Sequence, residues 1–188
     1  MTLFDPDVPD GFLYRSDFIS RGEEDGLAAA IAGVSFDTFA MRGVIARRRV
    51  KFYGMAYNDR PSLPIPAFLR PLRANLARWA GVAPEAFVMG LINEYPRGAT
   101  IGWHRDAPQY GITAGVSLLS RCRMKLRPYV LPAEPAAPSP RPVRKTTHEI
   151  ELEPRSGYLI TGLARDGYEH SIPATAALRY SITFRTLR

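Results

Sequence analysis

The chain has few of the residues that mark secreted and membrane proteins. Cys122 is its single cysteine, so it can form no internal disulfide, and no apolar run approaches the length of roughly 20 residues that a membrane helix needs. Its first residues have neither the basic start nor the apolar stretch of a signal peptide. We therefore expect a cytoplasmic protein with no membrane partner.

Lysine is also scarce. The only lysines are Lys51, Lys125 and Lys145, so arginine supplies almost all of the net charge of +7. The planar guanidinium group suits phosphates and carboxylates better than an ammonium group does. The composition is therefore compatible with a polyanionic partner such as nucleic acid, although charge alone does not establish one.

The 188 residues, 46% of them hydrophobic, are enough for one domain with a sizeable core. A capping-box pattern predicts a helix that begins near Ser20, and apolar residues at three- and four-residue spacing predict a second helix over 66–79. After residue 86 the pattern changes to short β-type runs. These runs cover 87–95, 112–119, 123–130, 148–152, 158–161 and 180–184.

Many short strands preceded by helices predict a sandwich or barrel with the helices on its outer face. The proline-rich segment 131–146 reads as an extended surface loop rather than a strand or a linker between domains. We find no internal repeat. The chain is therefore expected to form one mainly β domain with flanking helices, an α+β fold, and to be a monomer.

Only three histidines are present, and two of them fit one metal site. On a strand, His104 and Asp106 would share a face while Arg105 turned away, and His170 follows in a β-rich region. Two imidazoles and one carboxylate leave adjacent positions open on a metal, which is the arrangement of non-haem Fe(II) oxygenases. Taken alone, a His-x-Asp pair more often marks the end of a surface strand. The third histidine, His148, is interpreted as structural.

The last predicted strand is polar on one face. Alternate residues share that face, and they are Arg179, Ser181, Thr183 and Arg185. A buried arginine needs an anion, so an inward Arg179 would indicate a carboxylate from the protein or from an acidic co-substrate. The alternative is an edge strand whose arginines face solvent.

Together, these motifs resemble those of the AlkB-like branch of the Fe(II)- and 2-oxoglutarate-dependent dioxygenases, over about residues 45–188. They occur in the same order and at similar intervals, as Asn93-Glu-Tyr95, Gly98, His104-Arg-Asp106, Val116-Ser-Leu118, His170 and Arg179-Tyr-Ser-Ile-Thr-Phe-Arg185. The resemblance implies a single domain, 1–188. Helices and a substrate-recognition lid would occupy about 1–86, and a double-stranded β-helix (jelly-roll) core would occupy about 87–188.

The resemblance also implies the site. The residues implied to bind Fe(II) are His104, Asp106 and His170. Those implied to bind the co-substrate 2-oxoglutarate are Asn93, Tyr95, Arg179, Ser181 and Arg185. Arg179 would hold the distal carboxylate, while Arg185 would either support the co-substrate or brace Asp106. With O2, such a site would oxidise an N-methyl group on a base of DNA or RNA and release formaldehyde, succinate and CO2.

A basic and aromatic segment, 47–57, lies where AlkB-like proteins carry the lid. The substrate contacts it suggests are Arg48, Arg49, Tyr53 and Tyr57, with arginines on phosphates and tyrosines stacked on an extruded base. The alternative is a solvated basic turn beside core aromatics. Repair members usually have an acidic residue two places after the aspartate ligand, whereas this chain has Pro108.

Three functions therefore stay open. The first is oxidative demethylation of alkylated DNA or RNA. The second keeps the Fe(II)/2-oxoglutarate chemistry but acts on a protein or a small metabolite, which the missing acidic residue favours. The third is a non-catalytic jelly roll that binds nucleic acid through its arginines, against which the complete set of metal ligands argues.

Overall fold

The computed structural model describes residues 8–41, 44–55, 63–130 and 146–188. The described helices are α1 (Arg21–Ala32), α2 (Arg70–Ala80) and α3 (Gly162–Asp166). The described strands are β1 (Phe12–Arg15), β2 (Asp37–Met41), β3 (Val44–Gly54), β4 (Phe87–Tyr95), β5 (Ile101–His104), β6 (Tyr110–Leu118), β7 (Cys122–Pro128), β8 (His148–Leu152), β9 (Gly157–Ile160), β10 (Tyr168–Ile172) and β11 (Arg179–Leu187). Tyr57 and residues 131–145 of the predicted proline-rich loop lie outside the described residues.

The described strands form two antiparallel sheets that face each other. The major sheet has seven strands in the order β1-β9-β6-β11-β4-β3-β2, and the minor sheet has four in the order β5-β10-β7-β8. β11 lies at the centre of the major sheet, between β4 and β6. This confirms the predicted jelly-roll architecture and excludes the alternative in which β11 is an edge strand.

Helices α1 and α2 cover the outer face of the major sheet. α1 begins after Ser20, as predicted, because Ser20 and Glu23 form a capping box in which the Glu23 carboxylate accepts the Ser20 backbone N–H at 2.7 Å. Apolar residues of both helices pack against Ile182 and Phe184 on the apolar face of β11. None of the helices in the described ranges has the length and apolar character needed to cross a bilayer.

α2 is shorter than the helix predicted over 66–79. A single 3-10 turn at Ala67–Leu69 follows Pro66, and the α-helix then runs over Arg70–Ala80. The helix ends at Gly81, whose φ of 70° is a left-handed conformation that glycine adopts without strain.

Three strands come from the region for which the sequence indicated only helices and a lid. β1 pairs with β9 at one edge of the major sheet, and β2 and β3 form the opposite edge. β3 pairs with β4 along 49–54, so most of the basic segment belongs to the sheet. The run of arginines concealed this strand, because it interrupts the alternation of polar and apolar residues that marks a half-buried strand.

The polar face of β11 looks into the space between the two sheets. One part of that space is filled by a second apolar core, which includes Tyr95 from the major sheet and Met124, Leu126 and Ile150 from the minor sheet. The remaining part is a cavity. The fold therefore directs the polar residues of β11 toward this cavity between the sheets instead of toward the outer surface.

Candidate active site

His104, Asp106 and His170 converge beside this cavity. His104 on β5 lies directly opposite His170 on β10, and their ring centroids are 4.3 Å apart. One possible ligand atom from each of the three residues lies within 4.8 Å of the other two. The sequence placed Asp106 on the same strand as His104, and this was wrong: β5 ends at His104, and the following loop turns the carboxylate toward the imidazoles.

Two side chains fix the Asp106 carboxylate. Arg185 Nη2 donates to Oδ1 at 3.0 Å, and the Thr113 hydroxyl donates to Oδ2 at 2.8 Å. Burial alone would raise the pKa of Asp106, but the Arg185 guanidinium, with His170, holds that pKa well below its usual range. Asp106 is therefore ionised. Of the two roles left open for Arg185, the geometry matches the bracing of Asp106.

Both imidazoles are neutral at neutral pH. Burial, followed by the neighbouring His104, lowers the pKa of His170 to about 3, and burial also lowers the pKa of His104. The 2.9 Å contact between His104 Nδ1 and the Gly102 carbonyl oxygen requires a proton on Nδ1, which leaves Nε2 for a metal. Neutral imidazole is the form that binds metal ions.

This donor set fits Fe(II). Two neutral imidazoles and one ionised carboxylate form a facial triad, and no fourth His, Cys, Asp or Glu joins the cluster within the described ranges. The positions that the protein leaves open are those a keto acid and O2 require. The predicted ligands His104, Asp106 and His170 are thus close enough in space to hold one ion.

The cavity next to the triad has a volume of about 170 Å³. About 10–15 Å³ of such space holds one water, so the cavity is large enough for a small organic molecule. Asn93, Tyr95, Ser181 and Arg185, all predicted to bind the co-substrate, line it. On another side its wall is apolar, with Phe52, Met89, Leu91 and Tyr110 packed together.

Arg179 is the most unusual buried residue of the fold. It is 0% exposed, its Nε donates to Ser117 Oγ at 2.9 Å, and its guanidinium lies 5.1 Å from the centre of the Tyr95 ring. Neither of its terminal nitrogens meets a hydrogen-bond acceptor in the part of the chain that the structure describes. Such a cation is costly to bury, and a ligand carboxylate would satisfy it.

Arg179 does not line the cavity itself, whereas its neighbours Tyr95 and Ser181 do. Burial raises the pKa of Tyr95, and the charges of Arg179 and Arg48 oppose that rise. The Arg179 guanidinium is therefore next to the Tyr95 end of the cavity.

Arg48 and Arg49 do not form the predicted phosphate-binding pair. Arg48 points into the cavity, is 6% exposed and donates to Asn93 Oδ1 at 2.7 Å. Arg49 points to the opposite face of β3 and forms a 2.7 Å ion pair with Glu94. Neighbouring strand residues face opposite sides of a sheet, so these two arginines cannot act together, and contact of either one with a substrate stays a prediction.

Tyr53 also differs from its predicted role. It is 6% exposed and belongs to the core between the major sheet and the helices. It cannot stack on a base in the cavity, because the sheet lies between them. The other predicted stacking residue, Tyr57, is outside the described residues, so that part of the prediction stays a prediction.

Two arginines that the sequence did not single out hold the loop after Asp106. Arg165 on α3 donates to the carbonyl oxygens of Ala107 and Tyr110 at 2.7 and 2.9 Å. Arg188 donates from Nε to the Pro108 carbonyl at 2.8 Å and from its backbone N–H to the Gln109 carbonyl at 3.1 Å. Every carbonyl of 107–110 thus accepts a hydrogen bond. No sequence pattern marks these contacts, which join residues 55 to 80 positions apart.

Removing the Arg165 side chain is expected to loosen the loop and weaken metal binding. We expect Arg165→Met to lower the affinity for Co(II) by about tenfold or more, in the range seen when groups that orient metal ligands are lost. Titration of the protein with Co(II), followed by visible absorption, measures this affinity. Arg121→Met, which removes an exposed partner of Glu151, is the control and should bind Co(II) as the wild type does. Equal affinities in both variants would contradict the role of Arg165.

Comparisons with known proteins agree with this site. The model of the 2OG-Fe(II) oxygenase superfamily matches residues 39–185. The fold is similar to that of OsALKBH1, with a TM-score of 0.70 and 14% identity over 95% of this chain and 99% of that chain. It is also similar to a Pseudomonas putida prolyl-4-hydroxylase, with a TM-score of 0.61 and 11% identity over 95% of this chain and 93% of that chain. No curated protein has a significantly similar sequence.

At such low identities the two structures establish a shared fold, and the family model establishes descent. The His-Asp-His cluster supplies the donor set that this family uses for iron. The chain therefore belongs to the 2OG-Fe(II) oxygenase superfamily and is a dioxygenase that depends on Fe(II), 2-oxoglutarate and O2.

Proposed function

We propose that this dioxygenase removes a methyl group from a nitrogen atom of a base in DNA or RNA. The main support for this proposal is that residues from separate AlkB-like motifs lie around the same cavity. Residues from separate motifs, Asn93, Tyr95, Ser181 and Arg185, line one cavity together with the three metal ligands. This grouping is the one that the resemblance to AlkB-like enzymes requires.

The roles of the residues follow from their surroundings. His104, Asp106 and His170 would hold Fe(II), and bound Fe(II) supplies the oxidation by O2 that 2-oxoglutarate and substrate undergo. Arg185 keeps Asp106 ionised and oriented. Arg179 would bind the distal carboxylate of 2-oxoglutarate, which gives its two terminal nitrogens an acceptor.

The reaction consumes one 2-oxoglutarate and one O2 for each methyl group. One oxygen atom enters succinate, formed as 2-oxoglutarate loses CO2, and the other enters a C–H bond of the methyl group. The resulting N-hydroxymethyl group loses formaldehyde: its C–N bond breaks, its C–O bond becomes a C=O bond, and the hydroxyl proton passes to the nitrogen or, from a cationic base, to water. No protein nucleophile is needed, so the chain's tasks are to position the methyl group and to keep water out.

The apolar wall of the cavity suits these tasks. Phe52, Met89, Leu91 and Tyr110 form part of one cluster at the cavity and present aromatic and aliphatic surface. A flat base with a methyl group would bury its ring against such a wall.

An exposed arginine at the cavity is a candidate for contact with the nucleic-acid chain. Arg105 lines the cavity, is exposed, and lies 4.1 Å above the Tyr129 ring. A cation beside an aromatic ring can bind a single strand by combining phosphate contact with base stacking. This pair replaces Arg48, Arg49 and Tyr53 as the supporting observation.

Replacing Arg105 by glutamine should therefore weaken the binding of single-stranded oligonucleotides. The loss should be largest at low salt, and the salt dependence of log Kd should fall by about one phosphate contact. Fluorescence anisotropy over a salt series measures both quantities. Arg155→Gln, which removes an arginine paired with Asp17 and Glu24, should leave both unchanged. An unaltered salt slope in Arg105→Gln would remove this surface from the proposal.

The function itself is tested by formaldehyde release from oligonucleotides that carry one methylated base, with Fe(II) and 2-oxoglutarate. We expect release by the wild type and none by His104→Ala. Succinate formed without formaldehyde from any oligonucleotide would reject nucleic-acid demethylation. That result would favour the second candidate, a hydroxylase of a protein or small metabolite. Pro108, at the position where repair enzymes usually carry an acidic residue, is the observation that keeps this candidate open.

A further inference from the structure

Two methionines line the cavity beside the predicted metal ligands. Met89 lies on β4 and Met124 on β7, and each is only 2% exposed. A thioether sulfur can take up an oxygen atom on a lone pair, whereas oxidation of an aliphatic or aromatic carbon must break a bond or disturb a ring. Sulfur is therefore the most easily oxidised atom that the apolar side chains of the described lining offer.

Met89 contacts the side chain that holds Asp106. The pairing of β4 with β11 places Met89 directly opposite Arg185. Arg185 Nη1 donates to Met89 Sδ at 3.4 Å, and Nη2 of the same guanidinium donates to Asp106 Oδ1 at 3.0 Å. One guanidinium group thus separates the sulfur from a carboxylate of the His-Asp-His cluster. The hydrogen bond uses one lone pair of the sulfur and leaves the second.

Met124 provides an internal comparison. It comes from the minor sheet and packs in the second apolar core with Leu126 and Ile150. The two methionines therefore have the same chemistry and the same burial but different surroundings. Only the Met89 sulfur has a hydrogen bond, among those of the described residues, to the group that braces Asp106.

We propose that Met89 is a site of self-oxidation. When the cavity holds no substrate, the oxygen atom that would otherwise enter the substrate enters Met89 Sδ and forms methionine sulfoxide. The step consumes 2-oxoglutarate, O2 and the thioether and yields succinate, CO2 and the sulfoxide. O2 gains four electrons, two from the keto acid and two from the sulfur, and no proton is transferred. This inference uses the oxygenase chemistry of the family and does not depend on a nucleic-acid substrate.

Oxidation of Met89 changes the surroundings of the metal ligands. A sulfoxide oxygen is a stronger hydrogen-bond acceptor than a thioether sulfur, so it competes with Asp106 for Arg185. It also places a polar group in the apolar cluster that contains Leu91 and Tyr110. Loss of a group that orients a metal ligand typically lowers affinity by roughly 10- to 100-fold. We therefore expect the oxidised protein to bind Co(II) about tenfold more weakly.

The first test is the mass of peptides from the full-length, iron-loaded enzyme after it has consumed 2-oxoglutarate without substrate, under O2 labelled with a heavy isotope. Catalase is added to remove hydrogen peroxide. We expect one labelled oxygen on Met89, little on Met124 and none on Met55, which is 43% exposed and reports oxidants that diffuse through solvent. His104→Ala should carry no label. Succinate formed without label on Met89, or equal label on the three methionines, overturns the inference.

The second test follows metal affinity instead of turnover. Co(II) is titrated before and after the same incubation, once iron has been removed with a chelator. The wild type and Met124→Leu should bind Co(II) about tenfold more weakly after the incubation. Met89→Leu, which has no sulfur and a similar volume, should bind it equally before and after. An equal loss in Met89→Leu overturns the assignment, and unchanged affinity of the labelled wild type overturns the link between Met89 and the metal ligands.

The third test uses the iron-free protein and added hydrogen peroxide. Met55 should be oxidised well before Met89, because Met89 is buried. Equal rates at the two residues would show that Met89 needs no reaction at the iron site in order to be oxidised, and would overturn the inference.

Discussion

Replacing His104 by alanine is expected to abolish turnover without unfolding the protein. The variant keeps one imidazole and one carboxylate, which cannot hold Fe(II) in the arrangement that the reaction needs, so activity should fall by more than about 100-fold. The side chain is only partly buried, so its loss should change the melting temperature little. Succinate formation from 2-oxoglutarate and the circular dichroism melting curve measure the two effects.

Two further variants sharpen this result. His148→Ala removes the third histidine, which contacts Tyr168 and lies outside the metal cluster, and it should retain activity. Asp106→Ala should be inactive but also less stable, because it leaves the buried Arg185 guanidinium without its carboxylate, at a cost of about 3–5 kcal/mol. Wild-type activity in His104→Ala would overturn the assignment of the metal site.

Replacing Arg179 by methionine is expected to weaken 2-oxoglutarate binding strongly while making the unliganded protein no less stable. Loss of one partner of a buried charge pair typically costs 2–5 kcal/mol, so KM for 2-oxoglutarate should rise by about 30-fold or more. In the unliganded protein, the substitution removes a buried cation whose terminal nitrogens meet no acceptor among the described residues. The free energy gained by removing that buried charge offsets the free energy lost with the packing of the side chain.

Two measurements separate these effects. Steady-state succinate formation gives KM, and melting temperatures with and without 2-oxoglutarate give the coupling between ligand and fold. 2-Oxoglutarate should raise the melting temperature of the wild type and have little effect on Arg179→Met, because a ligand stabilises the fold only as far as it binds. Arg123→Met, on the exposed face of the minor sheet, is the control. An unchanged KM in Arg179→Met would exclude Arg179 as the carboxylate site.

The order of motifs along the chain was sufficient to predict that His104, Asp106 and His170 lie together, because they come from segments whose residue types and spacing are distinctive. The same holds for the inward face of β11, where alternation shows that Arg179 and Arg185 share one side. Alternation was not recognised over 47–54, because the run of arginines concealed that strand. For this reason Arg48 and Arg49 were given one role, although β3 sends them to opposite faces.

The hydrogen bonds from Arg165 and Arg188 to the loop after Asp106 could not be predicted from the sequence. An arginine that binds backbone carbonyls can do so beside almost any sequence, since every residue has a carbonyl. The contact exists only because α3 and the end of β11 lie next to that loop in the folded sheet arrangement. Sequence reasoning therefore found the groups that would touch iron and co-substrate but missed those that hold them in place.

The central position of β11 bears on how the molecule is made. This strand is the last of the described elements in the chain, yet it separates β4 from β6 in the middle of the major sheet. Until it is synthesised, β4 and β6 each present an unpaired edge, which is a template for aggregation. A chain stopped before Arg179 would also lack Arg185, which holds the Asp106 carboxylate in place. Closure of the major sheet and bracing of Asp106 both wait for this strand, so a chain that lacks it is more prone to aggregate than to oxidise.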